Sequence, residues 1–167
     1  MEVALDSWIP HQFGEWFTIG DWNCRLHPAG HIPGAAMIEI KTPQATILWT
    51  GDLDTRDSPN APRAVPIDCD ILCMEGTYGG RTHPNREEEE GRFVARVLEV
   101  VSRGGTALIP AFASGRGQDI LRILHKEAPD LNVHYDGMGT RVTREWLGCP
   151  EFIRDASQME SAYRWAR

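Results

Sequence analysis

The residues best suited to chemistry lie in two short segments. In HPAGHIPGAA, residues 27–36, His31 follows Gly30 and precedes Pro33-Gly34, just ahead of a β-prone run. An imidazole on a tight, glycine-flanked loop can be offered to a metal with little side-chain ordering. A lone histidine in such a place more often has a structural role. The partner that favours a metal is Asp52, 21 residues on in Thr50-Gly51-Asp52, where a carboxylate leaves the end of a second β-prone run. A hairpin between the runs would return Asp52 to the side of His31. Imidazole and carboxylate are both suitable zinc ligands, and a carboxylate can bridge two ions.

A second candidate is Ser114-Gly115-Arg116-Gly117, between an apolar run and a helix-prone run. Main-chain N–H groups at a helix start bind phosphate, and an arginine adds a charge-assisted partner. The alternative is a plain glycine-rich turn that starts the helix. Other features read as structural. Glu87 to Glu90 is a solvated helix face, Trp49 sits within a strand and packs in a core, and Asp136 either shapes a crevice or caps a turn. Cys24, Cys69, Cys73 and Cys149 show no C-x-x-C pairing and read as reduced core thiols.

These side chains need a scaffold. Residues 34–40 (GAAMIEI) and 45–51 (ATILWTG), broken by Lys41-Thr42-Pro43-Gln44, predict an antiparallel hairpin. Residues 53–68, with Pro59, Pro62 and Pro66, read as a polar surface connection. Beyond them strands at 70–76, 106–112 and 132–137 alternate with helices at 85–103 and 115–127, which predicts a parallel sheet. The first helix has a glutamate-rich first turn, an apolar stripe of Phe93, Val94, Val97, Leu98 and Val101, and Gly104-Gly105 at its end. The second carries Ile120, Leu121 and Leu124 at helical spacing and stops before Pro129. The carboxyl ends of parallel strands lie along one edge, so Glu75, the Pro110–Arg116 loop and Asp136 are expected to share a crevice.

The chain has 167 residues, 41% apolar and 25% charged, the proportions of a folded protein. With 17 Lys and Arg against 24 Asp and Glu the net charge is −7, so no general basic surface advertises nucleic acid and any such grip must be local. Met1 to Pro10 lacks a basic and then apolar leader pattern, and no stretch approaches a membrane span. A cytoplasmic protein that avoids membranes is expected.

Taken together, these motifs resemble a family, the β-CASP nucleases of the metallo-β-lactamase fold. AGHIPGAA is similar to the family's third motif, whose histidine binds the first zinc, and WTGDLD to its fourth, whose aspartate bridges both. MEGTYGG, residues 74–80, resembles the β-CASP motif A, with Glu75 as its acid, which in the family pairs with a later histidine near the metals. The likeness runs on through HPNREEEEGRF, LIPAFASGRGQDIL and VHYDGM, covering roughly residues 22 to 147 with the motifs in family order. The RNA-processing branch fits best, the branch of the cleavage and polyadenylation endonuclease subunit, its archaeal relatives and ribonuclease J.

The resemblance implies an α/β fold. A partial metallo-β-lactamase αββα-type domain in residues 1–80 would be followed by the start of a β-CASP domain with a parallel sheet in 81–167. It implies a zinc-dependent phosphodiesterase acting on RNA, in mRNA 3′-end processing or RNA decay. Two Zn2+ ions form the complete site, His31 and Asp52 are metal ligands, Asp52 and Glu75 are catalytic, and Ser114, Gly115 and Arg116 bind substrate. The family's H-x-H-x-D-H string occurs nowhere in the chain, and the late histidine motifs are missing. Gly76, Ser114 and Gly117 stand where the family usually has Ser or Ala, an apolar residue, and Ala. A fragment inactive by itself is therefore expected. The alternatives are a non-catalytic remnant that binds RNA or a partner, and a DNA exonuclease of the DNA-repair branch. A homodimer or association with a homologous subunit is the expected assembly.

Overall fold

The computed structural model describes residues 8–166, so residues 1–7 of the opening stretch lie outside the described residues. The chain divides into two compact units, one comprising Met1–Arg56 and Arg63–Glu75, the other Asp57–Pro62 and Gly76–Arg167.

The first unit is built on a five-stranded sheet in sequence order: β1 (Trp16–Ile19), β2 (Trp22–Pro28), β3 (Ala36–Lys41), β4 (Thr46–Trp49) and β5 (Ile71–Cys73). Consecutive strands pair antiparallel except β4 and β5, which are parallel, with residues 50–70 as their crossover. The expected hairpin is β3–β4. Thr42 closes its turn, its N–H donating to the Ala45 carbonyl at 3.0 Å while its hydroxyl accepts from Ala45 N–H at 3.0 Å. Period-2 alternation aims Met37 and Leu48 at one face, where they form a core with Ala29 and Ala64. The opposite face pairs apolar residues across the strands: Cys24 with Ile40, Leu26 with Ile38, Ile40 with Ile47, and Ile38 with Trp49. Trp49 is therefore no core residue. Alternation puts it on the face opposite Leu48, where it stays 59% exposed.

A charged cluster sits on the face of Met37. The Glu39 carboxylate is buried and accepts from Arg25 Nη2 at 2.8 Å and Nε at 3.0 Å, with His27 Nε2 at 2.8 Å and Lys41 Nζ at 3.6 Å. The Arg25 guanidinium and the Lys41 ammonium both lie over the Trp16 ring, at 4.4 and 4.6 Å. Burial pushes the Glu39 carboxyl up, but bonds from His27 and Arg25, with the positive charges of Arg25 and Lys41, hold it below its ordinary value. A lowered folded-state value adds stability above the ordinary glutamate range, and that stability is lost as pH falls through the folded value. Glu39→Gln should cost on the order of 1–2 kcal/mol at neutral pH and flatten the acid loss, measured by urea denaturation at about pH 7 and pH 4.

The second unit is helical: α1 (Arg86–Ser102), α2 (Arg116–Glu127), α3 (Met138–Leu147), a 3-10 turn (Pro150–Phe152) and α4 (Ala156–Trp165). Asn85 caps α1 by accepting from Glu88 N–H at 3.1 Å, and Asp155 caps α4 by accepting from Gln158 N–H at 3.1 Å. Glu89 pairs with Arg92, and Glu90 with Arg86, as befits a solvated face. The α1 stripe is narrower than expected: Val94 and Val97 join Leu124 and Ala128 in the core, with Phe93 packed against it, while Leu98 and Val101 are exposed.

The parallel sheet expected here is not found. Among the described residues, 106–112 and 132–137 join no ladder, and β4–β5 in the other unit is the one pair of strands that run parallel. A strand needs a partner backbone, whereas these segments dock through their side chains: Ala107, Ile109 and Val133 pack on the helical core, and Leu108 and Phe112 are exposed.

The proline-rich connection is likewise more than surface. Ser58, Asn60, Ala61 and Ala64 are buried; the amide of Asn60 donates to Asp119, Arg122 donates to the Pro59 carbonyl, and Arg154 N–H donates to the Asn60 carbonyl at 3.0 Å. Composition hides this, because the partners of Pro59 and Asn60 lie tens of residues away in the sequence. The thiols are free: Cys24 is buried, Cys69 and Cys73 half-buried, and Cys149 exposed, so the core reading fails for Cys149 beside the 3-10 turn.

Candidate functional site

Two loops leave the first sheet side by side. After β2, the Ala29–Ala35 loop is closed by Ala29 N–H donating to the Ala35 carbonyl at 2.8 Å and Ala35 N–H to the Ile32 carbonyl at 3.0 Å. It is stitched to the stretch after β4: Asp54 N–H donates to the Ala29 carbonyl at 2.9 Å, Ala64 N–H to the Asp54 carbonyl at 2.8 Å, and Gly30 bridges Leu53. Gly30 has φ +80°, and a Cβ there would lie 2.3 Å from Asp54 O and 2.6 Å from Ala64 N. Only glycine fits this crossing.

From this corner His31 Nε2 stands 4.0 Å from Asp52 Oδ2, with the two side chains 49% and 74% exposed. The loop bearing Asp52 is tied to the end of β5. Thr50 N–H donates to the Cys73 carbonyl at 3.0 Å, and the Thr50 hydroxyl accepts from Glu75 N–H at 3.3 Å. Glu75 Oε1 accepts from Leu53 N–H at 2.9 Å. The structure thus brings His31, Asp52 and Glu75 to one corner of one unit.

The donor chemistry suits zinc in kind, since two groups on one tetrahedral ion about 2 Å away stand roughly 3.4 Å apart, within reach of exposed side chains that can turn. It is insufficient in number. Catalytic zinc takes three protein ligands, and among the described residues no group of three or more His, Cys, Asp or Glu comes together. His31 and Asp52 are therefore too few to hold a catalytic zinc ion by themselves.

Ser114, Gly115 and Arg116 lie in the other unit, at the start of α2. Gly115 is the N-cap with φ 88° and no side-chain cap, while Ser114 and Arg116 are exposed. Behind them is a hub that the sequence reading missed. The fully buried Gln118 donates from Nε2 to the Ala113 carbonyl at 2.9 Å, the Thr143 hydroxyl at 3.0 Å and the Tyr135 hydroxyl at 3.1 Å. Thr143 donates on to the Gly139 carbonyl at 2.8 Å. The hub holds the 113–117 loop against the residues around Gly137, where Asp136 Oδ1 accepts from Gly137 N–H at 2.6 Å as a turn cap. Glu75 belongs to the other unit, so the expected crevice is not the edge of one sheet. The signal for the hub was available as a glutamine on the helix face that carries Leu121.

No family model matches the chain. Known proteins do. It is 36% identical over 163 residues to RNase aCSPSF2 of Saccharolobus solfataricus, covering 96% of this chain and 33% of that protein. The Probable RNase MJ4 of Methanocaldococcus jannaschii is 37% identical over 98% of this chain and 40% of its own length. The chain is homologous to part of the β-CASP metallo-β-lactamase nucleases. Among the β-CASP proteins it also matches Cleavage and polyadenylation specificity factor 73 of Drosophila melanogaster, 41% identical over 62% of this chain and 16% of that protein. It spans roughly a third of the length of the first two relatives. The mixed α/β structure with its five-stranded sheet is consistent with part of a β-CASP nuclease.

Proposed function

We propose that the chain is the segment of a zinc-dependent phosphodiesterase acting on RNA, of the mRNA 3′-end processing or RNA decay type, that carries His31 and Asp52 into a dinuclear metal site. The observation that carries this reading is the 4.0 Å approach of His31 to Asp52 at a corner built by two separate loops. It is supported by the names of the relatives, two of them RNases and one a cleavage and polyadenylation factor. In this reading residues 1–80 belong to the metallo-β-lactamase part and 81–167 to the β-CASP part, and Glu75 is the acidic group beside the metal ligands. Zinc, when bound, supplies Lewis-acid stabilisation and a water acidified toward neutrality. Ser114, Gly115 and Arg116 at the start of α2 would bind the RNA backbone, with the exposed Arg116 as the charged partner. The free thiols suit a reducing compartment, in keeping with a cytoplasmic setting. No helix among the described residues is long and apolar enough to cross a membrane.

The test measures zinc binding and the binding and cleavage of a labelled RNA, and of the matching DNA, by the purified chain. RNA binding without cleavage is expected, with zinc bound weakly and only while His31 and Asp52 are present. Arg116→Ala should lower RNA affinity severalfold with the circular dichroism unchanged. Zinc binding that survives both His31→Ala and Asp52→Ala would refute the ligand pair. Preference for DNA would shift the reading to the DNA-repair branch, and RNA binding without any zinc would favour a non-catalytic remnant.

A further inference from the structure

We infer that Glu75 is a positioning residue for Asp52, acting through the main chain of Leu53. The inference rests on the reading of His31 and Asp52 as metal ligands and adds what fixes their separation. Asp52 is held by little of its own: its side chain is 74% exposed and it follows Gly51, which has φ +56°. A glycine there leaves the turn free to pivot unless something holds both of its ends.

Glu75 holds both. Its N–H donates to the Thr50 hydroxyl at 3.3 Å and its Oε1 accepts from Leu53 N–H at 2.9 Å, so one residue brackets Gly51-Asp52 from either side. The neighbouring Asp54 N–H donates to the Ala29 carbonyl, in the loop of His31. Leu53 N–H is the donor turned to Glu75, while its neighbour ties the same stretch to the loop that carries His31. A carboxylate accepting from a main-chain N–H makes a charge-assisted bond, stronger than a neutral one.

Positioning requires an acceptor oxygen at the right reach, whereas an acid role requires a carboxyl group. Two conservative variants separate these requirements. Glu75→Gln keeps the reach and the acceptor and loses the charge; Glu75→Asp keeps the charge and withdraws it by one methylene. The readout is amide hydrogen exchange of Leu53 in the whole chain by NMR, with the β3 and β4 amides as the folding reference. Glu75→Asp should speed Leu53 exchange roughly tenfold, the loss of one charge-assisted bond, while Glu75→Gln stays within about threefold of the parent. Zinc affinity of the chain should fall with Glu75→Asp and persist with Glu75→Gln. Equal acceleration by both variants, or by neither, would overturn the inference. Exchange needs no bound metal, so a chain that fails to bind zinc would sink the metal reading while the Leu53 result still decides the role of Glu75.

Discussion

Replacing Gly30 with alanine should remove on the order of 4 kcal/mol of stability, measured by urea denaturation, which is a large share of the 5–15 kcal/mol typical of a folded domain. The added methyl would meet Asp54 O at 2.3 Å, Ala64 N at 2.6 Å and the Arg63 carbonyl carbon at 3.1 Å, all of them main-chain atoms that cannot rotate aside. Relief requires the crossing loop segments to part, breaking the Asp54–Ala29 and Ala64–Asp54 bonds at about 1 kcal/mol each. The positive φ adds about 1–2 kcal/mol of its own. Gly34 is the control. Its φ is +81°, but a Cβ there meets nothing within 4 Å, so Gly34→Ala should cost only the backbone strain, about 1 kcal/mol. Parity between the two variants would show that the crossing at Gly30 does not constrain the corner.

Gln118→Leu should destabilise the second unit by roughly 2–3 kcal/mol, followed as earlier loss of its helical circular dichroism in urea. Leucine removes the two N–H groups shared among the Ala113 carbonyl and the Tyr135 and Thr143 hydroxyls and leaves those buried groups short of a donor. One gain offsets part of the loss, because Gln118 Oε1 has no partner among the described residues and leucine carries no such atom. Two lost bonds outweigh one relieved acceptor. A variant as stable as the parent would mean that the hub only fills space. The neighbouring glycines define that space: a Cβ at Gly139 would come 2.4 Å from the Tyr135 hydroxyl, and one at Gly117 would come 3.1 Å from it.

The sequence was most legible where local pattern and long-range partner agree. The β3–β4 hairpin, α1 and α2 lie within a few residues of where their alternation, caps and stop signals put them. The proximity of His31 and Asp52 followed from that hairpin, since each loop leaves its sheet beside the other. Other elements hid for physical reasons. In α3 the β-branched Thr140, Val142 and Thr143 dilute the helical signal, and α4 has its cap in Asp155 but a weak apolar stripe of Met159 and Ala162. Residues 106–112 have the composition of a strand without a ladder, because pairing depends on a partner and not on propensity. Asn60 and Gln118 escaped notice because burial of a polar side chain is set by contacts tens of residues away.

The Arg25–Glu39 pair also acts as a register key. It joins residues directly opposite on β2 and β3, while the other face of those strands is apolar throughout the paired positions. A slip of one residue would turn Glu39 onto the apolar face and leave its charge without Arg25 or His27, a misalignment far costlier than any it could relieve. The same slip would move one strand along the other by about 3.3 Å, close to the whole distance between His31 and Asp52. An ion pair in the middle of the sheet therefore sets the tolerance to which two exposed side chains at its end can meet.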